Sequence, residues 1–353
     1  AGVTVNPDAV EDEALFLNGL TIPSHPALQP LISKDGEFMA YSGDSLVAAK
    51  LKRDNANRIL EVIGSSAASS GIDVERVVLP KGMVFEYPWK LIELNEAVLE
   101  EQIEDLPLSA PTELPPNVIV RGPITRLKLG DNVVFEGPVV LEDDVEIQAF
   151  TRIAGPAYIG KSTIVRSARI AGGCSIGEVC VVGGEVDASI ISSYTNKAHQ
   201  SFIGHSYVGE WVNIGAETCN SDLKNTYGTV RVYVRGRRVD TNMTKVGCFL
   251  ADHVKTSIGA QIYTGRRVGV ASHIHGFVTE DVPSFTVYAK SLGWGVFELS
   301  LDSAIETQRK MMARRCVTQS DEDRRLLATV FEMTMSERAG LPKSGGPMEA
   351  GAE

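Results

Sequence analysis

No apolar run in the 353 residues reaches 18, so the sequence contains no candidate for a membrane-spanning helix. Cysteine is scarce. The five present, Cys174, Cys180, Cys219, Cys248 and Cys316, are odd in number and include no Cys-x-x-Cys pair. That argues against a disulfide framework and reads as free thiols in a reducing, cytoplasmic compartment. Positive charge is also short: the formal net charge is −11. Nucleic acid and anionic membrane surfaces both require a basic footprint, so neither is expected as a partner. Nothing near the first residue reads as a signal peptide. The chain opens with Ala1 rather than Met, which leaves upstream sequence open. What remains, 43% hydrophobic and 22% charged residues, is the balance of an ordinary soluble protein of one large or two to three modest domains.

Against this plain background one pattern stands out. Leu129, Phe135, Leu141, Ile147, Ile153, Ile159 and Val165 fall six apart without a miss. A period of six suits neither a helix nor a flat strand. It suits a parallel β-helix, in which each six-residue flat begins with one inward apolar side chain and three flats close a coil. Glycine often follows, as at Gly130, Gly160 and Gly177, where a tight corner is expected. The period slips at Ile170 and Ile176, resumes at Ile203, Val208 and Ile214, and returns in strict form at Leu250, Thr256, Ile262, Val268 and Ile274. The expected fold class is therefore mainly β: a left-handed parallel β-helix with a mixed α/β N-terminal region and C-terminal helices. By fold-level analogy such prisms trimerise, place ligands in grooves between neighbouring prisms, and often transfer acyl groups from acyl-CoA.

The organisation follows from composition. Residues 1–110 are mixed. Strands are expected at 14–17, ending at the Asn18-Gly19 turn, and at 38–41 and 46–51. A short helix is expected at 56–63 and a proline-broken strand at 84–89, with a helix over 91–103. Pro107, Pro111, Pro115 and Pro116 mark a linker. The β-helix occupies 111–290, its regular part from 118, with about nine coils of roughly 18 residues. Residues 223–249 break the period and carry Arg235, Gly236, Arg237 and Arg238, as a loop projecting from a corner would. C-terminal helices over 291–340 follow. The first presents Leu301, Ile305, Met312 and Cys316. The second opens at Ser320-Asp321-Glu322-Asp323 and presents Leu326, Leu327, Val330 and Phe331. Residues 341–353 read as a disordered tail.

The segment from Asn196 to Gly209 (Asn-Lys-Ala-His-Gln-Ser-Phe-Ile-Gly-His-Ser-Tyr-Val-Gly), followed by Asn213-Ile214-Gly215-Ala216 and Cys219-Asn220, carries the sharpest signal. It resembles the acetyltransferase half of the bifunctional bacterial enzyme family that makes UDP-N-acetylglucosamine. It is closer still to an alternative branch described as sugar nucleotidyltransferases. Those share Asn196 to His199, Gly204 to Tyr207, Trp211 to Asn213 and the run from Ser221 to Gly228. Leu15 to Gly19, Tyr87 to Lys90 and Met312 to Arg315 match further elements of that branch with small changes. The resemblance covers most of residues 13–335.

The resemblance implies acetyl transfer from acetyl-CoA to an amino sugar 1-phosphate, glucosamine 1-phosphate or similar. His199 would be the general base, a fitting role for a group that titrates near neutrality. Asn213, Lys197 and Arg169 would contact substrate. Ala216, Asn220 and Lys224 would lie along the cofactor groove, and no metal ligands are implied. His205 reads as structural. The alternative is a sugar-1-phosphate nucleotidyltransferase, using Mg2+, with the β-helix as trimerisation scaffold. The sequence departs from the family in three places. Phe202 replaces a tyrosine. The phosphate-binding arginine falls near Ala171 and a lysine pair near Ala188 and Ser189, with Arg152, Arg166 and Arg169 available as substitutes. The family's opening glycine-rich loop would precede Ala1, leaving Asp44, Glu86, Glu93 and Asn95 as the polar groups of that half. A zinc hydratase built on the same prism would need three converging histidines, and His253, His273 and His275 lack the spacing for it. A non-catalytic trimeric scaffold completes the set of readings.

Overall fold

The computed structural model describes residues 7, 9–22, 26–62, 71–104, 106 and 114–343. The expected linker prolines Pro107 and Pro111, the end of the helix expected at 56–63, and the tail from 344 lie outside these. The chain divides into two compact units, Ala1–Lys90 and Leu91–Glu353.

The first unit is a four-stranded sheet in which Glu13–Leu17, Ser45–Lys52, Phe38–Ser42 and Glu75–Leu79 lie side by side in that order. Phe38–Ser42 and Ser45–Lys52 form an antiparallel pair closed by a tight turn in which Gly43 takes a left-handed φ of 61°. Successive side chains of a strand point to opposite faces. Phe38 and Ala40 therefore join Leu28, Leu31 and Val47 on one side, while Met39 and Tyr41 join Ala49, Leu51, Ala56 and Ile59 on the other. A central strand covered on both faces loses the polar alternation that would announce it. Glu75–Leu79 was not expected from sequence, since its alternation is weak. The strand expected at 84–89 does not form. Only a bridge between Thr21 and Val84 appears, and Trp89 already opens a helix. Pro88 removes a ladder donor and is tolerated just before a helix start.

The helix Trp89–Glu104 is longer than the expected 91–103. Its later turns belong to the second unit: Leu99 and Ile103 pack on Ile119 and Val140, and Asn95 binds Gly173 and Ser175. Asn95 thus ties this helix to the prism.

The second unit is a parallel β-helix whose strands stack as a left-handed solenoid. One face carries eight strands, from Val118–Arg121 to Arg266–Val268. The hexapeptide residues superpose in vertical columns. Leu141, Ile159, Ile176 and Ile191 stack on one face. Ile147, Val165, Val182 and Lys197 stack on the second, and Phe135, Ile153, Ile170, Val186 and Ile203 on the third. Ile147, Ile153, Ile159 and Ile170 are fully buried. Each contributes about 1.5–3 kcal/mol from burial alone, and the column repeats it at every coil.

Many corners are left-handed without glycine, among them Asp144, Ser162, Tyr194, His205 and Trp211. Gly130, Gly160 and Gly177 follow the hexapeptide residue for a different reason from the one expected. None has a positive φ, but a Cβ on each would strike backbone of the adjacent coil at Ala149, Gly177 and Ser193. They are glycine because coils approach closely there.

The period break at 223–249 is not an irregular loop. It is an antiparallel hairpin, Arg231–Val234 with Arg237–Asp240, turned at Arg235-Gly236 with both φ angles positive. The core is undisturbed, because Val208 before the insertion pairs directly with Leu250 after it. At the end of the prism Gly295–Glu298 pairs back on Thr286–Ala289. The helices Leu301–Ala313 and Asp321–Met333 follow, the second with a capping box between Ser320 and Asp323. Leu327 is buried and Val330 and Phe331 are partly buried beside it, as expected, but Leu326 is exposed. Cys316 lies beyond the first helix in a left-handed position, exposed, rather than on its core face. All five cysteines are free. Among the described residues no helix is long and apolar enough to cross a membrane.

Candidate functional site

The three corners of the prism each carry one of the places the sequence singled out. The flat Asn196–Lys197 lies between Val181–Val182 on one coil and Asn213 on the next. The corner that closes this flat carries His199 and Gln200, and Gln200 O accepts from Glu217 N of the following coil at 2.8 Å. The His199 imidazole is exposed and makes no side-chain hydrogen bond among the described residues. On the coil before, a Cβ at Gly183 would meet Ala198 O and one at Gly184 would meet Ser201, so only a glycine pair lets the corner settle there.

The corner is held from inside by Lys197. It occupies an inward position of the column that runs Val165, Val182, Lys197, and it is fully buried. Its Nζ donates to Gly183 O and, at 3.1 Å, to Ser201 O, the carbonyls that flank the His199 turn. Burial pushes its pKa down to about 8, against the weaker pull of Cys219 and Glu185. The expected contact of Lys197 with substrate is therefore corrected: an ammonium sealed inside the coil cannot reach a sugar.

Asn220 is corrected for the same reason. It is inward and buried, and its amide donates to Gly204 O at 2.9 Å while accepting from Gly204 N at 2.8 Å. It satisfies both backbone groups of Gly204 beside the start of the inserted hairpin. Ala216, half-buried, sits one coil on from His199 at the same corner, next to Glu217. Arg169 is exposed on the flat beyond that corner and is paired with Glu185 of the next coil. Lys224 lies at the base of the insertion, where Nζ donates to Thr229 O at 2.6 Å. His199 and Ala216 are thus brought together. Arg169 and Lys224 are each engaged elsewhere.

Asn213 stacks on Asn196 one coil on, on the flat that leads to Ala216 and Glu217, and it lines a cavity at the other end of that flat. Tyr194 and Trp211 occupy the same left-handed position on successive coils, so their rings stack at 4.2 Å and 8°. The helix Leu301–Ala313 overhangs them. Between lies a cavity of about 350 Å³ lined by Tyr194, Asn196, Trp211, Asn213, Lys255 and, from the helix end, Lys310, Arg314 and Arg315 among others. Asn196 Nδ2 donates to Asn213 Oδ1 at 3.0 Å. Lys255 donates to Trp211 O at 2.8 Å and His253 O at 2.9 Å, and burial lowers its pKa to about 7. His253 and His273 are each pushed down to about 4, by burial first and by Lys255 second. Sequence reasoning missed this cavity because helix and prism lie about a hundred residues apart. The Met312 to Arg315 match was the available signal.

The third corner holds His205, whose Nδ1 is 2.8 Å from Asp222 Oδ2. Burial raises the Asp222 pKa, but the His205 hydrogen bond and the charges of His205 and Lys245 outweigh it and leave the carboxyl lowered. Asp187, His205 and Asp222 place ligand atoms within 4.8 Å of one another, the one such group among the described residues. His253, His273 and His275 form no such group among the described residues of the chain.

No family model matches the chain. It is similar to the bifunctional sugar-1-phosphate nucleotidylyltransferase/acetyltransferase of Sulfurisphaera tokodaii, 30% identical over 201 residues, 53% of this chain and 43% of that protein. It is also similar to the bifunctional protein GlmU of Methanocaldococcus jannaschii, 31% identical over 194 residues, 52% of this chain and 40% of that protein. The chain spans less than half the length of these curated relatives. Among solved structures, Francisella novicida UDP-N-acetylglucosamine acyltransferase aligns over 61% of this chain and 77% of its own, at 14% identity and a TM-score of 0.34.

Proposed function

We propose that this chain is a transferase that moves an acetyl group from acetyl-CoA to the amine of an amino sugar 1-phosphate, glucosamine 1-phosphate or similar. His199 acts as general base. The observation that carries the reading is the His199 corner itself. An unpartnered imidazole stands on a turn that a buried ammonium and a glycine pair fix from below. The amine of the substrate arrives protonated. His199 takes that proton, the freed lone pair attacks the thioester carbonyl, and the C–S bond breaks as the proton the nitrogen then sheds passes to the leaving sulfur, releasing the thiol. Backbone N–H groups at the corner are suited to stabilise the developing oxyanion. The corner lies on the outside of the prism, so a groove requires a neighbouring prism. A cytoplasmic homotrimer supplies one.

Release of CoA thiol in the presence of amino sugar phosphates tests the assignment. Losing a general base lowers the rate by about 10²–10⁴. His199→Ala is expected to do so with the melting temperature nearly unchanged, and His205→Ala to do far less. Full activity of His199→Ala, or no thiol release by the wild type, overturns the reading. The alternative is a Mg2+-dependent sugar-1-phosphate nucleotidyltransferase for which the prism is a scaffold. It draws on the relatives' descriptions and on the separate N-terminal sheet. Release of pyrophosphate from a nucleoside triphosphate and a sugar 1-phosphate would favour it.

A further inference from the structure

The corner that carries His205 is where the inserted hairpin leaves the prism and rejoins it. Asp222 stands at the exit, and its carbonyl accepts from Val246 N at 2.9 Å as the chain returns. Gly247 N then donates to His205 O at 2.7 Å. Successive coils meet here. Asp187 pairs in register with Gly204, and the register of Phe202 on Cys219, carried three residues further, sets Asp222 over His205.

His205 Nδ1 is 2.8 Å from Asp222 Oδ2, and the two side chains are 17% and 15% exposed. This pair by itself would fasten the insertion to the prism. It does not account for Asp187. The bonds made to Asp187 come from Ser189 Oγ at 2.7 Å and His205 N at 2.9 Å, and both end on its backbone carbonyl. Its half-buried carboxylate accepts no hydrogen bond and enters no ion pair among the described residues. It lies over Gly172, where a Cβ would come within 2.5 Å of Oδ1. From there its ligand oxygen is within 4.8 Å of the ligand atoms of His205 and Asp222. Two half-buried carboxylates thus share one imidazole, and like charges so placed repel unless a further cation joins them. Lys245 also acts on Asp222, but from an exposed position and without an ion pair among the described residues.

We propose that Asp187, His205 and Asp222 bind one divalent transition metal ion of the Zn2+ kind, which clamps the base of the inserted hairpin to two coils of the prism. One nitrogen and two oxygen donors suit such an ion at about 2.0–2.2 Å each. Donors around that centre stand roughly 3–3.5 Å apart, so small side-chain rotations bring the three together. The metal takes the lone pair of His205 Nδ1, and the neutral ring holds its one proton on Nε2 instead. The partly exposed face of the pair leaves an entry path and a position for water. This corner is not the His199 corner, and the proposal rests on no part of the acetyl-transfer reading.

The full chain, free of any histidine tag and stripped with a chelator, is titrated calorimetrically with Zn2+ alone. One ion per chain with a Kd below about 100 μM is expected. Asp187→Asn keeps the His205–Asp222 pair, so it should melt like the metal-free wild type yet bind at least about tenfold more weakly. Zn2+ should raise the melting temperature of the wild type more than that of Asp187→Asn at the same concentration. His205→Gln should weaken binding as much, and should either variant melt early without metal, the other decides. Co2+ separates this site from the free thiols, since nitrogen and oxygen donors lack the thiolate-to-metal absorption that Cys219 or Cys316 would give. No binding by the wild type, wild-type affinity in the folded variants, or a thiolate band overturns the proposal. With no acetyl donor or sugar present, each result leaves the acetyl-transfer assignment to its own assay.

Discussion

Lys197→Met tests how the His199 corner is built. Methionine matches lysine in length and suits a column of Val165 and Val182, so packing is kept while the ammonium is lost. Two opposing quantities decide the outcome. Gly183 O and Ser201 O lose their donor, at about 1–3 kcal/mol for each acceptor left unsatisfied. The variant is also relieved of a buried charge. A fall in pKa from 10.5 to about 8 corresponds to roughly 3 kcal/mol. The two nearly offset, and the net change in stability at neutral pH is expected to be small, between about −1 and 3 kcal/mol of destabilisation.

The pH dependence is sharper. Below about pH 8 Lys197 is protonated in both folded and unfolded states, and the full penalty applies. Between about 8 and 10.5 the unfolded chain holds the proton and the folded chain does not, so wild-type stability gains from this group as pH rises. Lys255, lowered to about 7, adds a similar rise in both proteins and cancels in the difference. Urea unfolding followed by circular dichroism, in steps from pH 7, should show the wild type pulling ahead of Lys197→Met by roughly 2 kcal/mol more at about pH 9.5 than at 7. Parallel pH profiles for the two proteins would refute a buried, charged Lys197. The acetyl-transfer rate should fall in the variant through kcat rather than KM, since the corner loosens while substrate contacts remain.

Two further outcomes are expected. Denatured, unreduced protein kept from air should titrate five free thiols. In the native protein Cys316 should react fast, while Cys174, Cys180 and Cys248, buried and pushed up to about 12, should react only as the prism opens; three or fewer thiols would contradict a reduced protein. Sedimentation equilibrium at micromolar concentration should give a homotrimer, and a stable monomer would remove the groove that the His199 corner needs.

The sequence by itself determined the prism. A strict period of six puts one large apolar side chain inward on every flat, and the prism buries Leu141, Ile147, Ile153 and Ile159 together. It located the break at 223–249 but not the hairpin there, although Val230 and Val232 alternate with exposed Arg231 and Tyr233 ahead of the Arg235-Gly236 turn. It picked out His199 by its neighbours. Only the tertiary structure decided which polar residues of that segment face out. Lys197 and Asn220 sit at inward positions of the period, where the pattern calls for an apolar residue. Backbone carbonyls and amides waiting inside the coil satisfy them instead. The cavity at Asn213 was likewise beyond local pattern. It exists because Tyr194 and Trp211 share a corner across coils and because a helix about a hundred residues later returns over them. Contacts so far apart along the chain leave no periodicity to read.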